Sequence, residues 1–296
     1  MFVSVITPTY NRGYILQGCY QSLCKQTCMD FEWIVVDDGS TDDTTKKIQG
    51  FIAENKVKIV YLKQENGGKH RAHNTGIRVA KGELVVCLDS DDQLTENAIE
   101  RVKEIWREKK KKDSIGILAL RGDITERKAI CSHIPEGIEE CTMYELSNKY
   151  GFVGDTVLFF KNEVLKNNLF VEFYDEKFLT EISLYYVLDQ FGTMLLVDEV
   201  LYLCEYLEDG LTAKYFQLLR NNPNSSAYAY YVALCASKDI RLKVKFAILT
   251  QCYIQYIKSN KLFRPQKYRL LISLVKPIAM LYRKLRLEKL GGNYDT

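Results

Sequence analysis

The sequence predicts an α/β chain: a mostly parallel sheet flanked by helices, followed by a helical C-terminal extension. Three observations carry this expectation. Short β-branched runs alternate with helix-length segments through the first half. Those runs are nearly continuous in apolar residues, as strands covered on both faces are. From about residue 213 the composition turns helical, rich in Tyr, Leu, Lys and Arg.

In order, residues 3–7 read as a strand and 15–25 as a helix. Residues 31–37 read as a strand and 42–54 as a helix capped near Ser40 or Thr41. Residues 57–63 and 83–88 read as strands on either side of a helix at 71–80. A helix at 95–110 carries an apolar stripe at Ile99, Val102 and Trp106. Strands separated by helices of this length imply parallel pairing. Further strands are expected at 115–120, 156–160 and 194–203, with a helix at 180–191 and an irregular stretch at 126–148. The expected division is an α/β domain over residues 1–212 and a helical extension over 213–296, punctuated by Asn222-Pro223 and Arg264-Pro265.

A hydrophobic content of 47% and a charged content of 27% are those of an ordinary globular protein and exclude a disordered chain. The net charge of +3 hides an asymmetry: residues 261–296 hold nine Lys/Arg and two Asp/Glu, +7, which leaves −4 on the rest. The nine cysteines include no Cys-x-x-Cys pair, which reads as free thiols in a reducing compartment. His70 and His73 with Cys24 and Cys28 are the only zinc candidates, and their spacing is poor. The sequence opens without a basic-then-apolar leader and contains no run of about 18 apolar residues. A cytoplasmic location is therefore expected.

Ligands of an open parallel sheet bind beyond the carboxyl ends of its strands. Three polar loops stand at such ends: Thr7-Pro8-Thr9-Tyr10-Asn11-Arg12, Asp37-Asp38-Gly39-Ser40 and Asp89-Ser90-Asp91-Asp92. Carboxylates crowded together are costly unless a cation compensates them. The last loop therefore points to a hard divalent ion, Mn²⁺ or Mg²⁺, whose shell substrate phosphates would complete. Taken alone, the same loop would also serve as a cap for the following helix.

In this order the loops resemble four signatures of the inverting family 2 glycosyltransferases, which have the GT-A nucleotide-diphospho-sugar transferase fold. The signatures lie at residues 3–12, 31–42, 66–77 and 82–92, and the resemblance fades by about residue 215. It implies transfer from a nucleotide-diphosphate sugar, a UDP-sugar, to a glycan or lipid-linked acceptor in surface polysaccharide synthesis. Position by position it assigns Thr9 and Tyr10 to the base and ribose, and Asp38 to the ring N–H of uracil. It sets Arg71 near the base and phosphates. Asp91 falls to nucleotide-sugar and metal, Asp92 to the metal, and Asp89 to orienting the loop. Asp37 reads as a strand-end structural residue.

Inversion by direct displacement needs a general base for the acceptor hydroxyl. The family pattern is a Glu-Asp pair at a helix start; here Glu181 is followed by Ile182, a departure, and Glu181 stands four residues before Tyr185. The resemblance to a Thr-Glu subgroup makes Glu181 the expected base, with Asp175 and Glu176 as alternatives. Residues 205–212 form an acidic turn that either closes over the donor or simply enters the next helix.

In the tail, Leu270, Leu271, Leu274, Ile278, Leu281 and Leu285 fall on one helix face among basic residues, with Pro277 bending the run. A basic amphipathic helix of this kind docks on anionic membrane, here the inner face of the cell membrane, or packs as an ordinary soluble helix or dimer contact. No recognition motif accompanies the charge, so nucleic acid is not expected. Two alternatives to a transferase remain at this level. A nucleotidylyltransferase would want a Gly-rich phosphate loop after the first strand, which residues 7–13 lack; a non-catalytic sugar-nucleotide binder has the missing Asp at position 182 in its favour.

Overall fold

The computed structural model describes residues 1–205, 214–258 and 263–287, the side chains of Arg286 and Leu287 excepted. The chain divides into two compact units. One takes Met1–Leu169 and Leu188–Glu205, the other Phe170–Val187 and Tyr206–Thr296. The expected boundary at 212/213 and the acidic turn at 206–212 lie outside the described residues.

In chain order the elements are β1 (Val3–Thr9), α1 (Leu16–Cys24), β2 (Phe31–Asp37), α2 (Thr44–Glu54), β3 (Ile59–Lys63), α3 (Lys69–Val79), β4 (Leu84–Cys87), β5 (Gln93–Leu94), α4 (Ala98–Lys109), β6 (Ser114–Asp123), β7 (Glu140–Cys141), α5 (Met143–Asn148), β8 (Thr156–Lys161), α6 (Asn162–Asn167), α7 (Ile182–Leu188), β9 (Thr193–Cys204), α8 (Tyr215–Asn221), α9 (Pro223–Ala236), α10 (Ile240–Ile254), α11 (Arg269–Leu274) and α12 (Lys276–Tyr282), with a π turn at Arg283–Leu287.

The first unit is built on one sheet of order β3-β2-β1-β4-β8-β6-β9-β5, with β7 paired to β9. Strands β1 to β4 are mutually parallel, and β6 runs parallel to β9. The α/β class with a mostly parallel sheet is therefore as expected. The exceptions are β8, antiparallel to both β4 and β6, and the two-residue β5 and β7, each antiparallel to β9. The apolar run at 157–160 announces a strand but not its direction, which the long connection over 124–155 sets. The chain steps outward from β1 to β3 and returns to β4 on the other side of β1. That reversal puts a topological switch point at the carboxyl ends of β1 and β4.

Strand-by-strand burial explains the pattern: every residue of β1 and β2 is buried. Below the sheet, Tyr20 of α1 stacks on Phe51 of α2 with ring centroids 4.0 Å apart, and on Trp33 of β2 at 5.9 Å. Helix α2 begins at Thr44, later than expected, because Asp42 supplies the terminal bonds in place of Ser40 or Thr41. Its Oδ1 accepts from the Thr44 amide at 3.0 Å and the Thr44 hydroxyl at 2.6 Å. The stretch 126–148 is less irregular than expected. Thr142 and Glu145 form a capping box that starts α5.

The second unit is helical. Pro223 in the first turn of α9 removes an amide that would have no intrahelical partner, and the Glu176 carboxylate caps the next ones. It accepts from the amides of Asn224 at 2.8 Å and Ser225 at 2.6 Å. The tail helix breaks at Val275, two residues before Pro277, which gives α11 and α12. Among the described residues no helix is long and apolar enough to cross a membrane.

Candidate functional site

The three polar loops meet at the carboxyl edge of the sheet. Register aligns Thr9 with Asp37 and Ile6 with Cys87, so β1, β2 and β4 end at neighbouring points. The loops are also tied together. Asn11 donates its amide to the Ser40 hydroxyl at 2.9 Å, and its side-chain oxygen accepts from the Thr41 amide at 2.8 Å. The Asp38 amide donates to the Thr9 carbonyl at 2.8 Å. Beside these bonds the Tyr10 ring stands 47% exposed, while the Thr9 hydroxyl oxygen is buried with no hydrogen-bond partner. A buried hydroxyl without a partner costs free energy, so a ligand atom that bonds it is favoured.

Asp38 is 3% exposed and organises the 64–68 loop. Its Oδ1 accepts from Gln64 Nε2 at 2.7 Å and the Gly67 amide at 2.9 Å. Its Oδ2 accepts from the Gly68 amide at 2.7 Å and Asn66 Nδ2 at 3.1 Å. Those four bonds fill its acceptor positions. Gly68 precedes α3 with φ 94° and ψ 159°, a region that only glycine enters freely. Arg71 follows in the first turn of α3, half-buried. Its Cδ lies where a Cβ on Gly67 would come within 2.6 Å, so the glycine makes room for the guanidinium stem.

Asp37 serves the fold. Its Oδ1 accepts from the Ser40 amide at 2.7 Å, and its Oδ2 accepts from the Tyr61 hydroxyl at 2.9 Å and the Thr45 hydroxyl at 3.2 Å. Burial opposes its ionisation, but the Ser40, Tyr61 and Lys63 partners outweigh it and hold the carboxyl below the ordinary aspartate range. A depressed carboxyl stabilises the fold above the ordinary value of 3.8 and loses that contribution as pH falls below it. Asp37→Asn should therefore lower unfolding free energy at pH 7 by about 1–3 kcal/mol and flatten its decline below pH ~4. Urea titrations across pH check both.

The fourth loop holds three carboxylates in different electrostatic states. Asp89 is clamped by Lys69 of α3, whose Nζ lies 2.8 Å from Oδ1 and 2.9 Å from Oδ2. Burial resists its charge, but Lys69 and Arg121 hold it low. Asp91 is pushed up by burial and then by Asp89. Asp92, 5% exposed, is pushed up to about 7, first by burial and then by the Asp89 charge. Tyr202 of β9 works against that shift by donating its hydroxyl to Asp92 Oδ2 at 2.6 Å. The same hydroxyl accepts from the Asp89 amide at 3.1 Å, and the Arg121 guanidinium sits 4.4 Å from the Tyr202 ring centre.

Among the described residues no group of three or more His, Cys, Asp or Glu is arranged to hold a metal. All nine cysteines are free. Asp91 and Asp92 stand as two under-compensated carboxylates on one loop, the third being neutralised by Lys69. A two-carboxylate edge fits Mg²⁺ or Mn²⁺, which keeps waters or phosphates for the remaining positions.

The sequence-predicted residues Thr9, Tyr10, Asp38, Arg71, Asp91 and Asp92 all lie in the first unit, in the loops and helix start described above. Glu181 lies in the second. It is half-buried just before α7, with its carbonyl accepting from the amides of Leu184 at 2.9 Å and Tyr185 at 3.1 Å. Burial and then the Glu181 charge push up the neighbouring Tyr215 hydroxyl. Of the alternatives, Asp175 is exposed and Glu176 is engaged in capping α9. Sequence reasoning missed Lys69, Arg121 and Tyr202. Lys69 sits inside the third signature, but Tyr202 ends an apolar run and reaches the loop only through the pairing of β9.

A family model described as glycosyl transferase family 2 matches residues 4–169. The glycosyltransferase GlyG of Streptococcus pneumoniae serotype 4 is 26% identical over 283 residues, covering 90% of this chain and 92% of that protein. The chain spans less than a third of the length of several other curated relatives. Among solved structures, S. aureus TarS residues 1–349 superposes with a TM-score of 0.60 at 18% identity, over 99% of this chain and 93% of that one. TarS has also been solved with UDP-GlcNAc. The Pyrobaculum calidifontis mannosyltransferase PcManGT, solved with GDP-Man and Mn²⁺, gives 0.56 at 15% identity over 97% and 82%. At these identities the structural likeness speaks for the fold, the GT-A α/β architecture.

Proposed function

Since the chain belongs to glycosyl transferase family 2 and is a glycosyltransferase, we propose that it moves a hexose or N-acetylhexosamine, with inversion, from a UDP-sugar to a hydroxyl of a glycan or lipid-linked acceptor. The observation that carries this reading is the 89–92 loop, where two under-compensated carboxylates share the switch-point edge with Thr9 and Asp38. The UDP-GlcNAc and GDP-Man/Mn²⁺ complexes of the two structural neighbours support the donor class and the cation. The relatives named as polysaccharide synthases support a role in glycan synthesis. The reading places the work in the cytoplasm.

In this reading Thr9 and Tyr10 take the nucleoside, with the buried Thr9 hydroxyl gaining its missing partner. Asp38 receives the uracil N–H in place of Asn66 Nδ2, which makes the longest of its four bonds. Arg71 faces the phosphates. Asp91 and Asp92 hold Mn²⁺ or Mg²⁺, which when bound offsets the negative charge growing on the departing diphosphate. Lys69 keeps Asp89 turned to itself, and Tyr202 keeps Asp92 oriented. Glu181 removes the proton of the attacking hydroxyl.

The test is incubation of the chain with UDP-GlcNAc, UDP-glucose, UDP-galactose and GDP-mannose, with and without Mn²⁺, following nucleoside diphosphate release. Slow Mn²⁺-dependent release of UDP is the expected result. Binding without any turnover would identify a sugar-nucleotide binder instead. Release of pyrophosphate from a nucleoside triphosphate and a sugar phosphate would identify a nucleotidylyltransferase.

A further inference from the structure

Among the described residues, helices α11 and α12 pack on α10 through one face. Ile272 and Val275 join a core with Leu234 and Ala247, and Ala279 joins one with Cys252 and Tyr253. Side chains that pack this way satisfy the ordinary reading of an amphipathic helix, and they are not the residues of the apolar stripe expected from the sequence. With the exception of half-buried Leu271, that stripe stands on solvent. Leu270 is 82% exposed, Leu274 77% and Leu281 58%, and Ile278 and Leu285 are exposed with them. Their spacing of four, four, three and four residues is that of one helix face, carried in turn by α11, α12 and the π turn. Large aliphatic side chains in a contiguous exposed row mark an interaction surface.

The charge around the row indicates its partner. Residues 263–287 hold seven Arg or Lys and no Asp or Glu. Arg269, Lys276 and Lys284, all exposed, recur seven and eight residues apart and so line one flank of the apolar row. A protein partner with an apolar groove would not require a belt free of acids. An anionic lipid surface would: the aliphatic row enters the acyl boundary while the basic flank meets the headgroups. The helices are too short to span, which suits a segment lying in the interface.

We infer that the exposed face of α11–α12 docks on an anionic phospholipid bilayer. The docking is independent of which sugar is transferred and of whether the proposed transfer is correct, because vesicle binding needs no turnover.

The test is flotation of the full chain with phosphatidylcholine vesicles that either contain or lack about 30% phosphatidylglycerol. The expected result is binding to the anionic vesicles at least ~10-fold above that to the neutral ones, weakened by raised salt. Leu274→Glu/Leu281→Glu should lose at least ~10-fold of that binding, and so, separately, should Lys276→Glu/Lys284→Glu. These positions are exposed, so the variants should keep the wild-type circular dichroism and melting profile. Binding to neither vesicle, equal binding to both, or full binding by either variant would overturn the inference. So would a concentration-dependent dimer that the Leu variant dissociates in the absence of any vesicle binding, which would make the face a contact between copies of this chain.

Discussion

Asp92→Asn should lower Mn²⁺-dependent donor turnover by about 10³-fold and abolish the Mn²⁺-dependent part of donor binding. The substitution removes one of two under-compensated carboxylates at the 89–92 loop, and the other, Asp91, is flanked by Lys69-bound Asp89. The remaining oxygen still accepts from the Tyr202 hydroxyl, so the local geometry survives. In the metal-free protein, burial and the Asp89 charge work against ionised Asp92. A neutral amide escapes that penalty. The melting temperature in EDTA is therefore expected to hold or rise. Loss of binding together with a stable fold separates a ligand role from a structural one; a variant that binds donor and Mn²⁺ like the wild type would remove Asp92 from the metal site.

Glu181→Gln is expected to cut transfer by about 10²–10⁴-fold with donor affinity unchanged within about twofold. The carboxylate sits half-buried just before α7, and its charge adds to the burial that pushes up the Tyr215 hydroxyl. Glutamine preserves size and hydrogen bonding but cannot take a proton. Asp175→Asn should leave both quantities alone, since Asp175 is exposed. Glu176→Gln should show its effect in stability, because Glu176 caps α9. Single-turnover transfer with binding measured in parallel checks all three, and full transfer by Glu181→Gln would take that residue out of the base role.

The legible part of this fold was the part written in local pattern. Buried strands such as β1 and β2 show as unbroken apolar runs, and the polar residues that follow them mark the carboxyl edge without reference to any distant contact. The loops that carry Asp38, Asp91 and Asp92 are legible in that way, while the roles given to those residues rest on the family resemblance. The direction of β8 was hidden because pairing sense depends on the path of the connection. Tyr202 and Arg121 were hidden because they reach the acidic loop from strands far along the chain, through sheet order alone. The capping box joins Thr142 to Glu145, three residues on, in a stretch whose sequence reads as irregular. The tail shows the opposite limit. Its apolar spacing was plain, yet which face packs inward emerged only when Ile272, Val275 and Ala279, not the stripe, proved to be buried.

The differing states of Asp89 and its two neighbours sharpen the view of the site. Lys69 is held by Asp89, and the pull of Arg12 and Lys69 on Asp91 and of Arg121 on Asp92 does not outweigh the burial and the Asp89 charge that oppose ionisation of both. A donor diphosphate would add further negative charge to that edge, which makes a divalent ion the natural bridge between loop and phosphates.

Linkage turns that into one decisive measurement: the affinity of the protein for Mn²⁺, followed by the free-ion paramagnetic resonance signal, with and without UDP. A bridging ion requires that UDP tighten Mn²⁺ and Mn²⁺ tighten UDP by the same factor, expected here to be at least ~10-fold and absent in Asp92→Asn. Mn²⁺ binding indifferent to UDP, or UDP binding indifferent to removal of the ion by EDTA, would contradict the account at its centre.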